Sequence, residues 1–419
     1  MINVKRINFT RINILSFFFC LIPFALITGP FFPDLIVTSI SFIIVFSLIK
    51  DKEFKYFKNY FIYLLFFFIL YIILNSLFSN YPIHSLKSSL PYVRFALFTI
   101  ATFYLLKKNE YLLKYFCYAL IFTYVISLTT GYLQYFYGSN IFGYVPQSPN
   151  RLTLLLNDDL ILGGFLSRLF PLLIGLIIYT FKNNKFKYSL IFLLIIGTDT
   201  LIFLTGERTA LALMLISVIL FIIFIKELKI LRIFTFVVSL VIIFIISSYN
   251  EEIKRRNIGY TLSQIGITAE DGKLNIFSRN HDILIRTSWD LFLDKPIIGI
   301  GPNNFRKFCN ELKNDKKNIY CSTHTHNTYI QLISETGLIG IIIFLSFVVL
   351  IFKKFLLTYN KSINSSNSKI YNYQLCLLTC FILTTIPFLP SQNFFNNWVS
   401  IIYFLPVGFY FHSKTLDNV

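Results

Sequence analysis

Apolar blocks of about 17 to 23 residues recur along the chain, each long enough for a helix to cross a hydrocarbon core of roughly 30 Å. A spanning barrel would instead show segments of alternating polarity. The blocks fall within residues 12–28, 31–49, 60–78, 91–106, 113–134, 162–180, 188–205, 208–225, 232–248, 331–352, 371–389 and 397–412. This pattern predicts an all-α, polytopic transmembrane helix bundle of about twelve spans. The first block lacks a small-residue cleavage site and runs straight into the second, so it is expected to be a retained helix. Composition agrees, with 55% hydrophobic and only 14% charged residues, far from the soluble globular range.

The net charge of +18 would suggest nucleic-acid binding in a soluble chain, but here its distribution reports orientation. If the N-terminus is cytoplasmic, that side collects Lys50, Lys52, Lys55 and Lys58, then Lys107, Lys108 and Lys114, Lys182, Lys185 and Lys187, and Lys353, Lys354, Lys361 and Lys369. The short segments opposite hold only Lys87, Arg94, Arg151, Arg168 and Arg208. Both termini are therefore expected to be cytoplasmic, with the excess charge against anionic lipid and no nucleic-acid partner.

A hydrophilic excursion covers residues 249–330 and divides the chain into a bundle of about nine spans (1–248), this outward loop, and a C-terminal group of about three spans (331–419). Within it, "HDILIRTSWDLFLDKP" predicts an amphipathic helix stopped by Pro296, and "GIGPNNF" predicts a turn. A smaller outward loop, residues 137–161, carries "VPQSPNRLTLLLNDD", and residues 360–369 read as a solvated linker. Cys20, Cys117, Cys376 and Cys380 fall inside apolar blocks, where a thiol behaves as a small apolar side chain. Cys309 and Cys321 lie twelve positions apart in the large outward loop and are expected to form a disulfide in an oxidising compartment, the alternative being two free thiols.

The chemistry-bearing residues collect on the outward side. Arg208, in "LTGERTALAL", sits where two spans are joined by almost no loop, and a guanidinium beside a helix start suits a phosphate. The alternative is an interfacial anchor paired with Glu207. Arg168, in "GGFLSRLFP", is at membrane level, where an ionisable group is either functional or paired, here with Asp158 or Asp159. In "STHTHNTYIQLISETGLIG", His326 is followed by Asn327, Gln331 and Glu335 at near-helical spacing, and a neutral imidazole there suits a general base. His324 and His326 form an H-x-H pair without an evident third ligand, so no metal is expected. No Gly-rich phosphate loop is present, so any substrate has to arrive already activated.

Four stretches, "LTGERTALA", "WDLFLDKPIIGIGPNNFRKFC", "CSTHTHNTYIQLISETGLIG" and "PSQNFFNNWVSIIYFLPVGFY", together with the many-span layout, resemble the O-antigen ligase and polymerase superfamily. The resemblance covers most of the chain and is strongest from Gly206 onward. It implies a GT-C-like membrane enzyme of the bacterial inner membrane with a periplasmic active site. The expected donor is an undecaprenyl-diphosphate-linked glycan and the acceptor a lipid A core sugar, with no cofactor. The implied catalytic residues are His326 toward the acceptor and Arg208 with Arg286 toward the diphosphate. Arg279, Arg168, Asn327, Glu207 and His324 are the candidate substrate-binding residues. The family commonly has its second arginine about where this chain has His281, so Arg279 and Arg286 are both candidates. Polymerase and protein O-oligosaccharyltransferase activities share the motifs. A polysaccharide flippase is the non-enzyme alternative, disfavoured because the polar groups cluster on one face instead of threading several spans.

Overall fold

The computed structural model describes residues 2–145, 151–153, 155, 161–264, 278–315, 320–365 and 368–416. Among them the chain is helical without strands. The helices are α1 (Ile2–Thr28), α2 (Phe31–Lys50), α3 (Tyr60–Leu77), α4 (Pro82–Ser89), α5 (Val93–Lys108), α6 (Leu112–Tyr137), α7 (Leu162–Thr180), α8 (Asn184–Leu204) and α9 (Arg208–Phe224). They continue as α10 (Lys229–Tyr249), α11 (Glu251–Lys254), α12 (Tyr260–Gln264), α13 (Arg279–Asp294), α14 (Phe305–Asp315), α15 (Thr328–Asn364), α16 (Ser368–Thr384) and α17 (Asn397–Leu416).

Nine helical segments among the described residues are long and apolar enough to cross a membrane. Each of the twelve apolar blocks coincides with a helix. The remaining three blocks correspond to α9 and α16, each of 17 residues, and α17, which carries Asn397, His412 and Lys414. The protein is a multi-pass helical membrane bundle.

Helix α7 is the central post, buried along nearly its whole length and packed against α6, α8, α9 and α16. Small residues permit this: a Cβ on Gly175 would lie 2.7 Å from the Cβ of Cys376 on α16. By contrast α10 touches mainly α8 and α9, and its outer face of Ile230, Phe234, Val241 and Phe244 is left for lipid. The bundle ends are polar and paired. At one end Lys187 donates to Glu227 at 2.6 Å, Asn372 donates to the same carboxylate, and Lys414 donates to Gln374. At the other, Arg94 pairs with Asp34 at 2.9 Å and the Trp398 indole donates to the Leu26 carbonyl.

Helix α15 is 37 residues long, about 55 Å at 1.5 Å per residue, and it is broken once. Gly337 adopts φ 63° and ψ −167°, a conformation that is essentially glycine-only. The break makes room for another strand of backbone. Leu338 N–H donates to the Pro296 carbonyl, Ile300 N–H to that of Ser334, and Gly301 N–H to that of Glu335. Residues 296–301 thus lie backbone to backbone along the broken helix, and a Cβ on Gly299 would sit 2.6 Å from the Glu335 carbonyl carbon.

The expected amphipathic helix is α13, and the "GIGPNNF" turn follows it, with positive φ at Gly299, Gly301 and Asn303. Leu284 and Leu291 of α13 join Ile300, Phe305 and Cys309 in a small core of their own, closed by a disulfide between Cys309 and Cys321. The disulfide ties α14 to the segment that leads into the histidines.

Candidate functional site

The polar run 322–340 does mostly architectural work. Asn327 caps α15, its side-chain oxygen accepting from Tyr329 N–H at 3.0 Å and Ile330 N–H at 3.1 Å, and its amide donates to the Pro387 carbonyl. This geometry is the familiar Asn N-cap, and it occupies both ends of the amide. Gln331 accepts from Phe394 N–H and donates to Asn393 and Glu335. Glu335 accepts from Asn303 N–H at 3.0 Å and Phe305 N–H at 3.1 Å, so one buried carboxylate fixes the "GPNNF" turn to α15. From below, α4 grips the same turn: Ser85 donates to the Pro302 carbonyl, and Asn303 donates to Ser88.

These anchors set up the histidines. His326 stands at φ 55°, an unusual backbone for a residue with a side chain, costing about 1–3 kcal/mol. Ser391, in the α16–α17 connection, holds it there. Ser391 N–H donates to the His326 carbonyl at 2.8 Å, its carbonyl lies 3.2 Å from His324 Nε2, and its hydroxyl accepts from Thr328 at 2.8 Å. His326 Nε2 is 3.0 Å from the Ser322 hydroxyl. The His324 and His326 ring centroids are 4.0 Å apart, and the His281 ring of α13 lies tilted against that of His326 at 5.5 Å between centroids. Burial, and then neighbouring histidine charge, lowers the pKa of His326 and takes that of His324 down to about 3. His281 is lowered by burial and by the charge of Arg208. The rings are therefore held neutral, the state a proton acceptor requires. Among the described residues no group of His, Cys, Asp or Glu is arranged to hold a metal ion.

Arg208 is the first residue of α9, exposed, with its charge felt by His281. Glu207, beside it, turns the other way. Its carboxylate accepts from Gly163 N–H at 2.7 Å and Gly164 N–H at 3.0 Å, locking the α8–α9 turn onto the start of α7. Burial raises its pKa to about 7 against the opposing pull of those hydrogen bonds and of Arg168 and Arg151. Arg168 is buried in α7, donating to the Gly164 carbonyl at 3.3 Å. Asp158 and Asp159, its expected partners, lie outside the described residues.

The two arginines of α13 stand apart from this cluster. The buried stripe of α13 contains Leu284, Ser288 and Leu291, and His281 extends it by one turn. Arg286, five positions from His281, is rotated by about 140° from it. It is solvent-exposed and pairs with Asp282 at 2.7 Å, which raises its pKa. Arg279 is also exposed. The structure thus brings together His326, His324 and Arg208 from the expected set, and adds His281. Sequence spacing held the signal for His281, because positions 281, 284, 288 and 291 share one helical face.

Beside His324 opens a cleft of ≈ 550 Å³, lined by Asn303, Arg306, Gln392, Asn393 and Asn396. Its wall is rich in amides, with Arg306 as the cation. Base, cation and an open polar cleft therefore lie at one end of a membrane bundle, an arrangement suited to moving a polar group between membrane-bound and water-facing substrates.

Comparison with known proteins agrees with this reading. Residues 190–345 match the family model described as O-antigen ligase, a stretch that includes Arg208, His281, His324, His326 and Glu335. A search of curated proteins gives no match. Residues 190–345 are thus similar to the O-antigen ligase family, which supports placing the chain in the O-antigen ligase/polymerase superfamily.

Proposed function

We propose that the protein transfers a glycan from undecaprenyl diphosphate to a sugar hydroxyl of a lipid A core, on the periplasmic face of a bacterial inner membrane. The observation that carries this reading is the contact of His326 with His281, which itself feels the charge of Arg208: a neutral base and a phosphate-binding cation share one patch. His326 takes the proton from the acceptor hydroxyl as its oxygen attacks the anomeric carbon. The bond from that carbon to the phosphate oxygen breaks, its electron pair leaves with the diphosphate, and the anomeric configuration inverts. Arg208 stabilises the departing negative charge, which is the largest catalytic contribution expected in a site shielded by lipid. The scissile bond supplies the driving force, so neither nucleotide nor metal is needed. The amide-lined cleft beside His324 suits the acceptor saccharide, since amides match sugar hydroxyls as both donors and acceptors.

The exposure of Arg286 and the capping role of Asn327 favour indirect roles for both residues. Arg286, paired with Asp282, serves α13, while Asn327 positions the histidine turn. The test is transfer of a lipid-linked glycan by purified protein, with donor binding measured separately. His326→Ala should abolish transfer while donor binding persists, and Arg208→Lys should weaken both, because a point charge does not reproduce a bidentate fork. A chelator should change nothing. An active His326→Ala enzyme overturns the mechanism. In a deletion strain, full-length polymer retained on the carrier indicates ligase, whereas single repeats indicate polymerase.

A further inference from the structure

Much of the polar wall of the cleft beside His324 is already engaged by the fold. Asn393 donates to Asn303 Oδ1 at 2.8 Å and accepts from the Gln331 amide and Phe395 N–H, while Asn303 donates to Ser88 at 2.9 Å. Both ring nitrogens of His324 are occupied, Nδ1 with Thr323 at 2.9 Å and Nε2 with the Ser391 carbonyl. His84 directs Nε2 at the Asn303 carbonyl. Asn396 Oδ1 accepts from Val399 N–H at 3.2 Å, which leaves its NH₂ group for a ligand. Among the described residues the side chains of Arg306 and Gln392 form no hydrogen bond or ion pair. What the cleft offers is therefore chiefly N–H: the guanidinium fork of Arg306, the Asn396 NH₂ and the Gln392 amide. No Asp or Glu belongs to its described wall. The carboxylate behind it, Glu335, is fully buried and accepts from Asn303 and Phe305 N–H. Arg306 is also firmly placed, because Phe305 before it is buried and tied to Glu335, and Cys309, one turn later, is bridged to Cys321. A donor-rich cleft with an unneutralised arginine complements a saccharide that carries an anion.

We propose that this cleft selects acceptor saccharides bearing an anionic substituent, a phosphate or a sugar carboxylate, and that Arg306 is the residue that reads it. The assignment rests on the glycosyl-transfer reading above. It concerns the choice of acceptor and gives Arg306 no part in proton transfer or in holding the donor diphosphate. Losing a charge-assisted, bidentate pair at an open cleft should weaken binding of the charged saccharide by about 10-fold.

The experiment measures equilibrium binding of matched alkyl disaccharides, neutral, phosphorylated and carboxylated, to the full-length protein in nanodiscs of uncharged lipid. Transfer from a polyprenyl-diphosphate-linked glycan is followed on the same samples. Wild type should bind at least one charged disaccharide about 10-fold more tightly than the neutral one, and comparison of the two charged forms identifies the anion. Arg306→Gln should remove that preference through the charged ligands, and Arg306→Lys should keep part of it. Lys307→Gln, at an exposed neighbour outside the cleft wall, should keep all of it, which separates a site from the general positive charge of the chain. An unaltered melting temperature checks that each variant is folded. Wild type without a charge preference, a preference that survives Arg306→Gln, or an equal weakening of all the ligands overturns the assignment alone if transfer persists. Charge-selective binding by a protein that transfers no glycan overturns the reading beneath it instead.

Discussion

Replacing Glu335 with alanine should disconnect the "GPNNF" turn from α15. The carboxylate accepts from Asn303 N–H, Phe305 N–H and the Gln331 amide, and it is fully buried. Each donor left unsatisfied costs about 1–3 kcal/mol, so the three together come to on the order of 3–6 kcal/mol after partial relaxation. At roughly 1.4 kcal/mol per decade, even the lower figure corresponds to a loss of about 10²-fold in hydrogen-exchange protection at residues 303 and 305. Glu335→Gln keeps one acceptor but sets an NH₂ against another donor, and should lie between. The assay is hydrogen exchange by mass spectrometry on peptides spanning 296–308, with the α7 peptides as an internal standard. Since His84 and Asn393 also contact Asn303, the polar cleft should loosen and transfer should fall in parallel. Wild-type protection of residues 303 and 305 in the alanine variant would show that the carboxylate is not the anchor.

Because burial and neighbouring charge lower the pKa of His326 from 6.5, its neutral form should persist on acidification, and the transfer rate should fall off only below pH 6.5. A pH–rate midpoint above 6.5 would contradict that sign. Removing the Cys309–Cys321 disulfide, which closes a short loop, should cost about 3 kcal/mol in the chain-entropy model and accelerate proteolysis between α14 and α15, with Arg208 and α9 unaffected. If the outward side is periplasmic, a membrane-impermeant thiol reagent applied to intact cells should label Asp290→Cys and spare Lys361→Cys; the reverse pattern would invert the assigned orientation.

The helices were legible because each apolar block carries its own length signal, and α13 because Pro296 ends an amphipathic stripe. Helix periodicity also held enough information to separate His281 from Arg279 and Arg286, although residue type alone pointed to the arginines. What local pattern does not encode is a partner in another segment. Asn327, Gln331 and Glu335 advertise polarity at helical spacing, but their partners lie at 303–305, 387 and 393–394, so chemistry and scaffolding look alike until the chain is folded. Glu207 is a similar case: beside Arg208 in sequence, it turns to the backbone of α7. The positive φ of His326 is likewise imposed from a distance, by Ser391.

That last dependence sets an order of events in biosynthesis. The region matching the family ends at residue 345, and every histidine of the cluster has been synthesised by then. The Ser391 hydrogen bonds that hold the turn, the Pro387 carbonyl that accepts from Asn327, and the amides of the cleft at 392–396 come later, between α16 and α17. A nascent chain halted after α15 would carry the signature residues without the clasp that shapes them. The clasp around the histidines therefore forms only once α16 and α17 have been inserted.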